Sequence, residues 1–101
     1  MVIVIARVRP KPEAVDALAG VLAEVEEASR REDGCLNYGY FRSITDPGQF
    51  VAVEEWRDMD ALRVHLQQPT VAKLIEALPD ALAEPPEIVA HTVSDSGPLP
   101  F

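Results

Sequence analysis

The order of apolar periods along this 101-residue chain predicts an α+β domain, a four-stranded antiparallel sheet with helices on one face. Three observations carry that expectation. Strand-like runs occur at four places. Helical three-and-four spacing separates the first from the second, and the third from the fourth. An Asp46-Pro47-Gly48 turn joins the second to the third. The resulting order, β-α-β-β-α-β, is that of the split βαβ or ferredoxin-like arrangement.

Residues 2–9 (VIVIARVR) are rich in β-branched side chains and alternate at the end. Ile3, Ile5, Arg7 and Arg9 take one side, and Val2, Val4, Ala6 and Val8 the other. A strand apolar on both faces belongs in the middle of its sheet. Pro10 and Pro12 stop it, and Pro12 suits the first turn of a helix. From Glu13 to about Arg31 the stripe Val15, Leu18, Leu22 and Val25 has helical spacing. Glu26 with Arg30, and Glu27 with Arg31, stand four apart in the favourable order, and Gly34 offers an exit.

Residues 35–44 and 51–56 read as the two strands of a hairpin. Asp58 then suits an N-cap for a helix with Met59, Leu62, His65 and Leu66 on one face. Pro69 interrupts it, and Val71, Leu74, Ile75 and Leu78 extend the helical pattern to Pro79. Pro85-Pro86 introduces a last strand over 88–93. One domain over 1–94 with a tail over 95–101 is expected. In the third strand Val51 and Val53 alternate with Phe50, Ala52 and Trp56, so both of its faces are apolar. A face of that kind is seldom left wet, and sheet-to-sheet homodimerisation would cover more than ~1,000 Å².

Nine Lys+Arg against seventeen Asp+Glu give a net charge of -8. That balance opposes nucleic-acid backbones and anionic membrane surfaces, and no local basic patch is visible. No stretch approaches the ~20 apolar residues of a membrane span. The run over residues 1–6 is too short, and lacks the basic leader, for a signal peptide. The expectation is a cytoplasmic protein without nucleic-acid or membrane partners.

The single cysteine and two scattered histidines give no metal spacing, and no phosphate loop or nucleophile elbow is present. No metal or organic cofactor is expected. Cys35, near Glu32 and Asp33, reads as a small buried residue with a thiol kept protonated. Trp56 shares a strand face with Glu54, as a core aromatic beside a surface carboxylate or as part of a pocket. His65, three residues after Leu62, reads as a packing residue or as a base. Tyr38 and Tyr40 share a face of the second strand. Arg7 and Arg9 read as solvated charges near a strand end, and His91 has no evident role. An enzyme built from this inventory would use a shaped apolar pocket with few polar groups.

The runs EDGCLNY over 32–38, FVAVEEWRD over 50–58 and ALRVH over 61–65, followed by Pro69, resemble the antibiotic biosynthesis monooxygenase family. The likeness is greatest to its quinol monooxygenase branch and covers the chain from first strand to last. It implies a dimeric α/β-barrel, with two sheets packed together, helices outside, and a pocket in each subunit. It also implies oxidation of a small quinol or phenolic metabolite by O₂ without flavin, metal or haem. On that reading Trp56 stacks on or walls off the substrate, His65 accepts or orients the phenolic proton, and Tyr38 and Glu54 orient the substrate or the imidazole. Two positions depart from relatives: Thr70 follows Pro69 where many carry His, and Ala52 stands where polyketide-oxidising members carry Asn. Haem degradation is not expected, because Ile5, Ala6, Lys73, Leu74 and Ile75 occupy the regions where haem-degrading relatives carry Asn and His. An isomerase or other proton-transfer enzyme on a small carbonyl compound, and a dimeric binding module without activity, are the alternatives.

Overall fold

The computed structural model describes residues 1–101. The strands are β1 (Val2–Val8), β2 (Cys35–Arg42), β3 (Phe50–Trp56) and β4 (Glu87–Thr92), and the helices α1 (Val15–Arg30), α2 (Met59–His65) and α3 (Pro69–Ala81). The sheet order is β2-β3-β1-β4, with every neighbouring pair antiparallel. The two-sided apolar strand β1 is therefore central, as its sequence demands. This is the ferredoxin-like α+β fold.

Alternation decides which residues face the helices. Val2, Val4, Ala6 and Val8 of β1 are buried, together with Phe50, Ala52, Glu54 and Trp56 of β3. Ile3, Ile5, Val51 and Val53 lie on the opposite, uncovered face. The covered side divides into two core clusters. One gathers Val2, Val4, Val25, Tyr38, Trp56 and Leu62, and the other Val8, Leu18, Leu22, Phe50 and Leu82. The two tyrosines are on the same side, with Tyr38 opposite Glu54 and Tyr40 opposite Ala52.

Several boundaries differ from the sequence expectation, and β3 starts at Phe50, one residue earlier than read. Residues Pro12–Ala14 form a separate 3-10 turn before α1, with Pro12 in its first turn, where a missing N–H costs no bond. β2 ends at Arg42, where Ser43 and Asp46 close the hairpin loop. β4 spans Glu87–Thr92, one residue earlier at each end than read. Pro79 does not end α3, which continues to Ala81. Only the bond to the Ile75 carbonyl is lost in that last turn, and Leu82 N–H still bonds to Leu78 O at 3.0 Å.

Arg9 is not a free surface charge. Its guanidinium pairs with Asp46 in the hairpin loop and lies 3.5 Å from Glu84. Arg7 remains exposed. No helix is long and apolar enough to cross a membrane.

Candidate active site

Three local features bring the site together. Asp58 caps α2 by accepting the Ala61 N–H at 2.8 Å. The helical period then turns Ala61, Leu62 and His65 toward the sheet. Gly34, at φ 85°, turns the chain between α1 and β2. A Cβ there would stand 2.6 Å from Ala61 Cβ, so glycine is required both for the turn and for the close approach of α2. That turn delivers Glu32 to the side of His65.

His65 is 3% exposed and Trp56 0%. Their rings are 4.5 Å apart between centroids, and Tyr38 stands 5.4 Å from His65. The imidazole lies between two carboxylates. Nδ1 is 2.7 Å from Glu32 Oε2, and Nε2 is 3.9 Å from Glu54 Oε1. Trp56 Nε1–H donates to that same Glu54 oxygen at 3.0 Å. The tyrosine hydroxyls of Tyr38 and Tyr40 are 3.0 Å apart and bonded to each other.

These groups border a cavity of about 240 Å³ between the sheet and α2–α3. Residues of both core clusters line it, including Val4, Val8, Leu22, Leu62 and Val71. Glu54 and His65 are the charged or titratable groups on its wall apart from the tyrosine hydroxyls. Leu66, Ile75 and Ile88 also line it and are each more than half exposed, so they form its mouth. The polar groups are thus at the deep end and the apolar ones at the opening. Apolar cavities of about 150 Å³ accept benzene, so this one has room for a small aromatic with substituents.

Burial governs the protonation of the wall. It pushes the Glu54 carboxyl above its ordinary range, against the opposing pull of the Trp56 bond and His65. It pushes Tyr40 up to about 12 and Tyr38 higher still. Both tyrosines are therefore hydrogen-bonding phenols at neutral pH and not bases. A carboxylate at Nδ1 favours the tautomer with its hydrogen on that nitrogen, which leaves Nε2, on the Glu54 side, able to accept a proton.

The model of the antibiotic biosynthesis monooxygenase family matches residues 1–77. The chain belongs to that family. Among its relatives is an uncharacterized Synechocystis protein, sll1783, 30% identical over 98 residues, or 97% of this chain and 67% of that protein. A Mycobacterium tuberculosis protein named "Putative monooxygenase Rv0793" is 40% identical over 68 residues, 67% of this chain and 66% of its own length. The chain thus spans about two thirds of these two curated relatives. The solved structure of Rv0793 superposes with a TM-score of 0.89 at 30% identity, covering 96% of this chain and 98% of that one. A crystal structure described as an antibiotic biosynthesis monooxygenase gives 0.86 at 33% identity, covering 94% and 100%.

Of the four residues singled out for this monooxygenase-family site, Tyr38, Glu54 and His65 line the cavity. Trp56 does not; it stands behind His65 and fixes Glu54 through its indole N–H. Glu54 is 6% exposed, so it is not the surface carboxylate its alternation allowed. Cys35 is partly exposed instead of buried, at the β2 end beside a register irregularity. Burial, Glu32 and Glu54 push its thiol up, which leaves it a poor nucleophile. Ala52 is buried opposite Ala6 and Tyr40 and is not on the cavity wall. Sequence reasoning placed Glu32 only beside Cys35 and gave it no part in the His65 site, although it opens the first family-like run. Its partner is 33 residues away, and only the turn at Gly34 puts the two together.

Proposed function

We propose that this protein is a cofactor-independent monooxygenase acting on a small quinol or phenol with O₂. The observation that carries the proposal is an apolar cavity with a carboxylate-held imidazole at its deep end. A quinol entering past Ile75 and Ile88 places its ring on apolar walls and its hydroxyl toward His65 Nε2. The hydroxyl donates, and its proton passes to Nε2, with the imidazolium stabilised by Glu32. The resulting anion is electron-rich enough to reduce O₂ itself. One oxygen atom is added to the ring and the other leaves as water with two hydrogens from the substrate. Quinol plus O₂ thus gives hydroxyquinone plus water, and a phenol gives a quinone plus water. The substrate supplies all four electrons. The apolar wall keeps water from the oxygenated intermediate.

Trp56 supports this chemistry from behind the imidazole. It packs the ring and, through Glu54, places a buried carboxyl beside Nε2. Tyr38 and Tyr40 supply hydroxyls that orient the substrate oxygen.

The uncovered sheet face supports a homodimer. Ile3, Ile5, Val51, Val53 and Val89 lie side by side across β1, β3 and β4, with Arg7, Glu55 and Glu87 around them. An apolar centre within a charged rim suits isologous pairing with a second copy. Sedimentation should show a dimer at micromolar concentration, and a stable monomer there would contradict it.

The reaction is tested by oxygen uptake with a panel of reduced benzo- and naphthoquinols under ¹⁸O₂. The expected product is one oxygen heavier and two hydrogens lighter than the quinol, with one labelled atom, formed well above the rate of autoxidation. Oxygen uptake without label in the product, or none above background, contradicts the proposal. Proton exchange into a carbonyl compound without O₂ uptake would point to the proton-transfer alternative.

A further inference from the structure

Glu32 belongs to no helix or strand, yet it is the hydrogen-bond partner of the buried imidazole of His65. Its Oε2 is 2.7 Å from His65 Nδ1. Its other oxygen, Oε1, is buried and has no hydrogen-bond partner. Leaving half of a carboxylate unsatisfied is costly, and a purely structural role would have an easy remedy nearby. Arg57 lines the same outer pocket as Glu32, but its guanidinium pairs with Asp33 and Asp58. The side chain of Glu32 is thus committed to the imidazole alone.

The placement also has two sides. His65 faces the apolar cavity, which Glu32 does not line. Glu32 lines instead a polar pocket on the outer surface, with Asp33, Arg57, Asp60 and Gln68. The His65–Glu32 pair therefore separates the two, and the carboxylate can be reached from outside without passing the substrate.

We propose that Glu32 is the positioning residue of the site: it holds His65 as the Nδ1–H tautomer, keeps Nε2 free for the substrate, and balances the imidazolium from the outer pocket. This rests on the reaction proposed above only for its kinetic consequences. The groups facing the pair are Glu54 and Tyr38 on the cavity side, Cys35 beside the turn, and Arg57, Asp33 and Asp60 on the outer side. Of these, Glu54 is the carboxyl close to Nε2, so its titration must be held constant between the proteins compared.

The test uses Glu32→Gln, which keeps size and can still accept from Nδ1–H, and Glu32→Ala, which opens a gap toward the outer pocket. The protein has only two histidines, so the imidazole of His65 can be followed by NMR in ligand-free protein. Removing the negative charge disfavours the imidazolium, so the His65 titration midpoint should move to lower pH in Glu32→Gln while that of His91 stays. With a turned-over quinol, kcat should fall about 10- to 100-fold, part of the ~10²–10⁴ a positioned base supplies. KM should change little, because Glu32 is not on the cavity wall. Formate should restore much of the rate in Glu32→Ala and none in a His65→Gln variant. A shifted His65 titration with no quinol turned over by either protein upholds the positioning and counts against the reaction. An unshifted titration in folded Glu32→Gln, or quinol turnover unaffected by it, overturns the positioning and leaves the reaction standing.

Discussion

The two edges of the sheet are treated differently. At the β2 edge, α1 supplies the missing partners: Glu26 Oε1 accepts the Tyr40 N–H at 2.8 Å, and Arg30 Nε–H donates to Tyr38 O at 2.9 Å. The two side chains are themselves 3.6 Å apart, so one ion pair closes the edge. At the other edge every residue of β4 is exposed, including Ile88 and Ala90 on the helix side. α3 packs on α1 and not across β4. The sealed edge holds the tyrosines and the polar end of the cavity in place. The bare edge leaves the wall that becomes its mouth. An unfilled half of an otherwise regular core is thus where the chemistry finds room.

Breaking the sealed side should have the largest effects. His65→Gln is expected to lower quinol turnover by about 10²–10⁴-fold, the usual contribution of a positioned base. Glutamine is preferred to alanine because His65 is buried against Trp56, so alanine would also remove packing and blur rate with stability. Trp56→Ala, at a fully buried site, should cost about 3–5 kcal/mol in denaturant unfolding. A cost below ~1 kcal/mol would mean that the aromatic cluster is not the anchor described. Glu26→Ala should cost about 1–2 kcal/mol by losing a charge-assisted bond to a strand amide. The paired Arg30→Ala should add less than its own cost, since both act on one edge.

A pH measurement sharpens the contrast further. The folded state raises the Glu54 carboxyl above its unfolded value, chiefly by burial. The folded protein therefore binds the extra proton, and its stability from this group is greatest in acid. It declines as pH rises from the unfolded pKa through the folded one. Glu54→Gln removes that decline, so the stability difference between variant and parent should move in the variant's favour as pH rises through that window. A difference independent of pH there would mean that burial does not control this carboxyl. On the bare edge the effect should be smallest: Ile88→Asp is expected to change stability by no more than ~0.5 kcal/mol. It should nevertheless raise KM for quinols with apolar substituents. Stability loss of several kcal/mol would show that β4 is covered in the working assembly.

The same contrast marks what the sequence made legible. Strand alternation placed β1 in the centre, put Glu54 on one face with Trp56, and identified the second face that remains uncovered. The capping aspartate and the three-residue step from Leu62 turned His65 inward. These are local periodicities, and they survive folding. Glu32 was not legible as a partner, because its pairing depends on a turn at Gly34 and on a helix that starts 27 residues later. Nor was the cavity, which comes from α3 leaning on α1 instead of crossing β4. Pro79 was misleading because a proline late in a helix costs one bond and not the whole turn. Cys35 was misread because its strand end lies at an irregular pairing.

The most direct measurement is a structure of the protein bound to a hydroxynaphthoquinone, a product-like ligand that resists further oxidation. The account predicts the ring on the apolar wall between β1 and α3, with its hydroxyl about 3 Å from His65 Nε2 and its substituents toward Ile75 and Ile88. A ring bound outside this cavity, or one inside it with its hydroxyl turned away from His65, would contradict the account.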